Sequence, residues 1–485
     1  MKEGKLYIDG KWINSSPRKT FISLNPATAK PFGRFQLGNK KDVGKAIQAA
    51  QRALPKWKKT PAPKRAEILY ETVRLLRKNK DKLTKLEVLE MGKVWKEAAG
   101  DVQEAIDIFE YMAGEGRRLF GHTTPSELKN KFCMTTRQPL GIVGLITPWN
   151  FPIAIPAWKL APALICGNTC IFKPSSDTPG NATALVEILE EAGLPKGVVN
   201  LVTGSAEEVG QQIVTHHKIS GLSFTGSVNT GNYIAANAGL KKVGLELGGK
   251  NAIIVMEDAD LDLAVDGIIW GAFGTTGQRC TAASRIIVHK KIKKELEEKL
   301  LKRTLRLKLG SGLNYSTDVG PLINQKAVEK SEFYTKLGKK QKAKLLCGGN
   351  KLDMQGFFFE PTIFTNVKLR MRIAQEEIFG PITAIIQVKS LNEAIKVCNN
   401  ISYGLSSSIY TNNIQNAFKA IEEIEAGITY INSSTIGAEV HLPFGGVKDT
   451  GHGREAGIEG IFEFSETKTI YIDYSGKLQK AQNIE

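Results

Sequence analysis

Between residues 140 and 250, short apolar runs alternate with stretches whose apolar positions recur every three to four residues. GIVGLI leads into a helical pattern through AIPAWKLAPALI, then TCIFKPS, then ATALVEILEEAG; after these come VVNLVTG, SAEEVGQQIVTHH, ISGLSFTGS and a helix through NYIAANAG. This strand–helix repeat predicts a parallel sheet with right-handed crossovers, an α/β domain of the nucleotide-binding type. The N-terminal 120 residues read as largely helical, with amphipathic runs through RAEILYETVRLLRKNKDKLTKLEVLEMGK and VQEAIDIFEYMAGEGRRLF, and are expected to pack on the same sheet. From residue 251 to about 450 a second alternation includes SRIIVHK, AIIQVKS, SSSIYT and GITYIN, which predicts a second α/β domain. Two pieces stand apart, KFCMTTRQP (131–139) and TKTIYIDYS (467–475). Both are extended in pattern and suited to pair as an arm whose edge invites a second subunit. There are no internal repeats, low-complexity tracts or long linkers.

A chain of 485 residues exceeds one compact core, so two or three domains are expected. The net charge of +17 raises the question of an anionic partner. The basic residues are scattered, however, among acidic ones, as in HKKIKKELEEKLLKR, the pattern of a solvated helix face. No motif supports nucleic-acid binding. The opening MKEGKLYIDG lacks the apolar core of a signal peptide, so cytoplasmic residence is expected. LGIVGLITPWNFPIAIPAW (140–158) has the length of a membrane span, but Pro148, Pro152 and Pro156 make it a buried strand, a loop and a helix start instead. Six cysteines show neither CxxC pairs nor metal-ligand spacing, so structural thiols are the default.

One cysteine is set differently. In TTGQRCTAASR, Cys280 sits in a Gly-containing loop before an expected strand, where a thiol is held rigidly yet within reach of a small ligand; the adjacent Arg279 is suited to favour thiolate. Taken alone, Cys280 reads rather as a small hydrophobe filling a gap, and only its context can overturn that. LELGGKN places Glu246 at a strand end beside two glycines, as a general base or a salt-bridged surface carboxylate. TPWNFP holds Asn150 in a stiff loop, as an amide donor to a developing oxyanion or a turn former. FTGSVNTG opens a helix after a strand, but its glycines, Gly226 and Gly231, lack the dinucleotide-fingerprint spacing. Lys173 in IFKPSSDTP stands at a strand end, where open α/β sheets bind ligands, or is simply solvated. EEIFGP puts Glu377 and Phe379 on a turn, and PFGGVKDTGHGREAG is a Gly-rich loop with Phe444 facing a cavity.

Together these segments resemble the aldehyde dehydrogenase superfamily, in order and over nearly the whole chain. TPWNFP, FKPS, FTGS, LELGGKN, GQRC, EEIFGP and PFGGVK with GHGRE all occur, and Cys280 lies 34 positions after Glu246, as in that family. The resemblance implies an α/β subunit of that fold in three parts: a Rossmann-like cofactor domain (1–122 and 140–250), a catalytic domain (251–450) and an oligomerisation β-arm (123–139 and 466–485). It implies a homodimer or homotetramer acting on a small aldehyde with NAD or NADP, without membrane, nucleic acid or metal. It further implies a catalytic set of Cys280 as nucleophile, Glu246 as water-activating base, Asn150 as oxyanion donor, and Lys173. Thr147, Pro148, Trp149, Lys173, Ser175, Ser176, Gly226, Ser227, Leu247, Gly248, Glu377 and Phe379 are implied around the cofactor, and Arg279, Thr281, Glu104 and Phe444 around the substrate.

One departure bears on the cofactor. Where many NAD-using members carry Glu three residues after the lysine, this chain has Ser176, which would not repel a 2′-phosphate; NADP is therefore expected to be accepted, alongside NAD. For the substrate, Arg279 before the nucleophile and Glu104 in VQEAID, 46 residues before Asn150, match the branch oxidising aminoadipic semialdehyde. FKPSSDTP, and GAEVHLPFGG beyond its first three residues, depart from that branch, which leaves dioxovaleric and succinic semialdehydes open. The rivals are a CoA-acylating semialdehyde dehydrogenase, against which the presence of Glu246 argues, and a non-catalytic protein retaining the fold.

Overall fold

Ile142–Ile146, Thr169–Lys173 and Gly221–Thr225 are short strands with almost every residue buried, the pattern of a parallel sheet covered on both faces. Alternate residues divide between the faces. Val143, Leu145, Cys170 and Phe172 enter one core with the helices Ala62–Lys78, Trp95–Glu115, Ala154–Cys166 and Pro179–Glu191, while Ile142, Ile171, Leu222 and Phe224 enter another with Lys40–Lys59. Each such side chain contributes about 1.5–3 kcal/mol by leaving water, so a one-residue slip of register would forfeit a whole face.

The computed structural model describes residues 2–482. Its larger sheet has eight strands. Five run parallel at the centre, in the order Lys242–Glu246, Gly221–Thr225, Ile142–Ile146, Thr169–Lys173 and Val199–Leu201. Gly451–His452 closes one edge and the hairpin Leu6–Ile8 with Lys11–Ile13 the other. A second sheet of seven strands runs Lys344–Cys347, Thr362–Thr365, Ile382–Val388, Ala283–His289, Asn251–Val255, Ser406–Tyr410 and Ile428–Ile431, all parallel except the first. The two expected strand–helix alternations therefore both form parallel sheets. No helix among the described residues is long and apolar enough to cross a membrane.

The expectation of a largely helical N-terminal region fails over the first 36 residues. These form five strands, and helix begins at Lys40. Asp9 and Gly10, both at positive φ (56° and 72°), turn the chain between LYI and KWI, a hairpin signal carried by the dipeptide itself. Thr20–Asn25 and Lys30–Gln36 make a separate antiparallel pair joined by Lys2–Gly4.

The two extended pieces pair with each other. Ser465–Asp473 runs antiparallel to Lys131–Pro139 along its full length, and Thr123–Pro125 lies on the other side. Ser465–Asp473 is thus an edge, with Tyr471 and Ile472 exposed. Residue 1 and residues 483–485, the end of the expected arm segment, lie outside the described residues.

Candidate active site

Strand order in the larger sheet reverses between Ile142–Ile146 and Gly221–Thr225, which opens a crevice at the carboxyl ends of the strands. The sequence leads every parallel strand but one into an expected site segment there: Ile146 into Thr147, Pro148 and Trp149; Thr169–Lys173 into Ser175 and Ser176; Thr225 into Gly226 and Ser227; and Glu246 into Leu247 and Gly248. Only Leu247–Lys250 then separate Glu246 from Asn251–Val255 of the second sheet. Cys280 and Glu377 precede strands Ala283–His289 and Ile382–Val388, so the second sheet presents its amino ends to the carboxyl ends of the first.

The nucleophile loop is strained and held. Thr275 and Thr276 both adopt positive φ (51° and 58°), a conformation costly for β-branched residues. Buried Glu97 receives the Thr275 N–H at 2.9 Å through either oxygen and the Thr275 hydroxyl at 3.1 Å. Asn251 donates to the Cys280 carbonyl at 2.6 Å, and a Cβ on Gly249 would stand 2.3 Å from that same oxygen, which explains a glycine in LELGGKN.

Arg279 does not serve the thiol, contrary to the expectation that it favours thiolate. Its Nε donates to the Thr275 hydroxyl at 2.8 Å, and its guanidinium lies 4.7 Å from the Trp270 ring and 5.2 Å from the Phe151 ring. Burial, followed by the Glu246 and Glu377 charges, pushes the Cys280 thiol up to about 12.

Cys280, Glu246, Arg279, Thr281, Glu104 and Phe444 line one cavity of about 310 Å³. Burial, then Asp101, raises the Glu104 carboxyl to about 8. Phe444 packs edge-on against Trp158 at 5.0 Å. Asn150 is buried beside this loop, and its amide nitrogen donates to the Gln278 carbonyl at 3.0 Å while its Oδ1 has no partner among the described residues.

Glu246 Oε2 is likewise buried without a partner. Burial and then neighbouring Glu455 drive its carboxyl well above the ordinary range, against the pull of Lys159 and Arg454. Lys159 Nζ bonds both Glu455 and, at 2.8 Å, the Ser223 hydroxyl. A buried Glu455–Lys159 pair thus acts on Glu246 through its charges. Lys159 and Glu455 escaped notice in the sequence because one sits in an apolar helix and the other 296 positions later. A lysine among AIPAWKLAPALIC and the glutamate that ends GHGRE were the available signs. A Cβ on Gly445 would stand 2.6 Å from Glu246 Oε1, so PFGG lets the backbone pass this carboxylate.

The crevice suits a dinucleotide. The Thr147 hydroxyl is buried without a partner among the described residues, and Glu377 accepts the Gly249 N–H at 2.9 Å. Phe379, at φ 59°, meets Trp149 edge-on at 5.4 Å, which places an aromatic wall by Glu377. Lys173 is buried, its Nζ donating to the Pro174 carbonyl at 3.2 Å; burial, partly offset by Glu207, lowers its ammonium to about 8. Ser227 caps the helix Val228–Asn237 with its side chain, Ser175 bonds Asp177, and Ser176 is exposed. Lys173, Ser175 and Ser176 lie outside the set lining the substrate-sized cavity.

Comparisons with known proteins agree with this arrangement. The model of the aldehyde dehydrogenase family matches residues 12–470. The chain is 41% identical over 474 residues to an alpha-ketoglutaric semialdehyde dehydrogenase of Bacillus subtilis, covering 96% of this chain and 97% of the relative. It superposes on the NAD+ complex of a betaine aldehyde dehydrogenase from Staphylococcus aureus with a TM-score of 0.96 at 35% identity, covering 98% and 97% of the two chains. An NADP-dependent enzyme of E. coli gives 0.95 at 36% identity, covering 97% and 98%. The chain belongs to the aldehyde dehydrogenase family and is an NAD(P)-dependent aldehyde dehydrogenase.

Proposed function

We propose that the substrate is a short aldehyde bearing a carboxylate at its far end, a semialdehyde of the dioxovaleric, aminoadipic or succinic type. The observation that carries this is Arg279: its faces are covered by Trp270 and Phe151, and it lines the same cavity as Cys280. A guanidinium fixed in this way offers a preorganised fork to a carboxylate. The relative named for alpha-ketoglutaric semialdehyde supports the same class.

In the reaction, Cys280 gives its proton to solvent water and attacks the aldehyde carbon to give a thiohemiacetal. The Asn150 amide and the Cys280 backbone N–H hold the oxyanion. A nicotinamide cofactor, when bound, would supply the acceptor for the hydride that this adduct must lose to become a thioester. Glu246 then takes a proton from water, which attacks the thioester and releases the acid and the thiol. Glu455 and Lys159 act on Glu246 through their charges, the first raising and the second lowering its proton affinity. Glu377 would hold the nicotinamide ribose with Phe379 against the ring, Lys173 the adenosine ribose, and Ser227 with Gly226 the pyrophosphate. Thr147, Pro148, Trp149, Ser175, Leu247 and Gly248 would shape the rest of that crevice. Ser176 leaves room for a 2′-phosphate, so NADP is accepted alongside NAD. The three-stranded arm, with its open edge, would serve self-association.

The test is a panel of acidic and neutral aldehydes of matched length with both cofactors. Acidic members should exceed neutral ones in kcat/KM by about tenfold or more, a 1.36 kcal/mol difference. Equal or better neutral substrates would overturn the assignment. A preference for NAD above about 100-fold, some 2.7 kcal/mol, would overturn the NADP part alone.

A further inference from the structure

Behind the cavity wall the chain buries a cation between two acids. Lys93 Nζ lies 2.6 Å from Asp101 Oδ2 and 2.8 Å from Glu87 Oε1, and these side chains are wholly inaccessible. Taking such charges out of water offsets most of their attraction, so the cluster is a weak source of stability. Its geometry points to another use. Lys93 Nζ sits 3.6 Å from the centroid of the Phe151 ring, and Asp101 Oδ1 accepts the Ala154 N–H at 2.6 Å. Phe151 directly follows Asn150, and Ala154 opens the helix Ala154–Cys166 that the loop enters.

We propose that the Lys93–Asp101 pair is a positioning element for the Asn150 amide, bracing the loop at Phe151 through the cation and at Ala154 through the carboxylate. It rests on the assignment of Asn150 as the oxyanion donor. Asp101, Phe151 and Ala154 line the cavity, whereas Lys93 and Glu87 do not, so the cation acts through the loop and not on the substrate. Burial, then Asp101, drives the Glu87 carboxyl well above its ordinary value. Burial alone would lower the Lys93 ammonium, but Asp101 and Glu87 together hold it above its usual value. The loop is also held by the bond from the Asn150 amide to the Gln278 carbonyl and by Arg279 against the Phe151 ring, so the pair adds to these supports on the side away from the cavity.

The experiment is a double-mutant cycle read with a neutral aldehyde, so that Arg279 plays no part. Asn150→Ala should lower kcat by about 10²–10³-fold. Lys93→Met should lower kcat by about tenfold or more with KM within about twofold, and should cost less than about twofold further in the Asn150→Ala background. The alkylation rate of Cys280 should stay unchanged in Lys93→Met, since the nucleophile loop hangs on Glu97. Asp101→Asn is isosteric and keeps an acceptor for Ala154 N–H, so it carries the same test where Lys93→Met does not fold. An equal loss in both backgrounds, or a loss confined to KM, overturns the proposal. An unchanged kcat in Asn150→Ala removes the oxyanion assignment and the positioning proposal with it.

Discussion

Replacing Arg279 with methionine would remove the one guanidinium, among the described residues, that lines the cavity with Cys280, while leaving an apolar chain of similar length between Trp270 and Phe151. Arg279 is only 8% exposed, so the proposed bond to a substrate carboxylate would be little screened. Truncating one partner of a buried, hydrogen-bonded charge pair costs about 2–5 kcal/mol. Taking about 3 kcal/mol, kcat/KM for an acidic aldehyde should fall about 150-fold, at 1.36 kcal/mol per tenfold. Arg279 Nη2 also stands 3.9 Å from Glu97 Oε1, but Glu97 is not orphaned by the change, because it still receives the Thr275 N–H and hydroxyl. A neutral aldehyde of the same length should therefore lose less than about threefold, or 0.6 kcal/mol. The assay is NAD(P)H absorbance with both substrates, fitted for kcat and KM separately. An equal fall for both would make Arg279 a structural support of the loop, and an unchanged KM for every acidic aldehyde would remove it from substrate binding.

Other outcomes follow from the same geometry. Glu246→Gln should keep a rapid NAD(P)H burst stoichiometric with active sites while steady turnover falls by about 10²–10⁴-fold, because only thioester hydrolysis needs the base; absence of the burst counts against that division of labour. The Cys280 thiol, pushed up to about 12, should alkylate in the free enzyme at a rate that climbs with pH, since the reactive thiolate gains tenfold per unit below the pKa. A plateau below about pH 8 would show a thiolate already formed. Gly249→Ala sets a Cβ 2.3 Å from the Cys280 carbonyl oxygen, backbone against backbone, and should cost about 1–3 kcal/mol of stability, seen as a lowered Tm. An unchanged Tm would mean that the two loops part easily.

The first sheet was legible because its strands are buried on both faces and read as unbroken apolar runs, as in Ile142–Ile146 and Gly221–Thr225. The N-terminal strands were not, since three-residue strands such as Leu6–Ile8 carry too little periodicity, although Asp9–Gly10 marked their turn. Of the candidate site, the residues carried by loops with glycine or proline could be named, because such loops advertise an unusual backbone. Lys159 lies in a segment that looks like ordinary helix, and Glu455 ends the glycine-rich GHGRE without any sign of its partner; only packing sets the two together and lets their charges act on Glu246.

The sequence by itself determined the family, the order of the segments, and the residue types able to form and hydrolyse a thioester: these are local properties, written in adjacent residues. The tertiary structure alone decided where charge acts. It turned Arg279 away from the neighbouring thiol into the cavity, set Lys159 against Glu455, and placed Lys93 under Phe151, because electrostatics and ring contacts depend on distance in space and not along the chain.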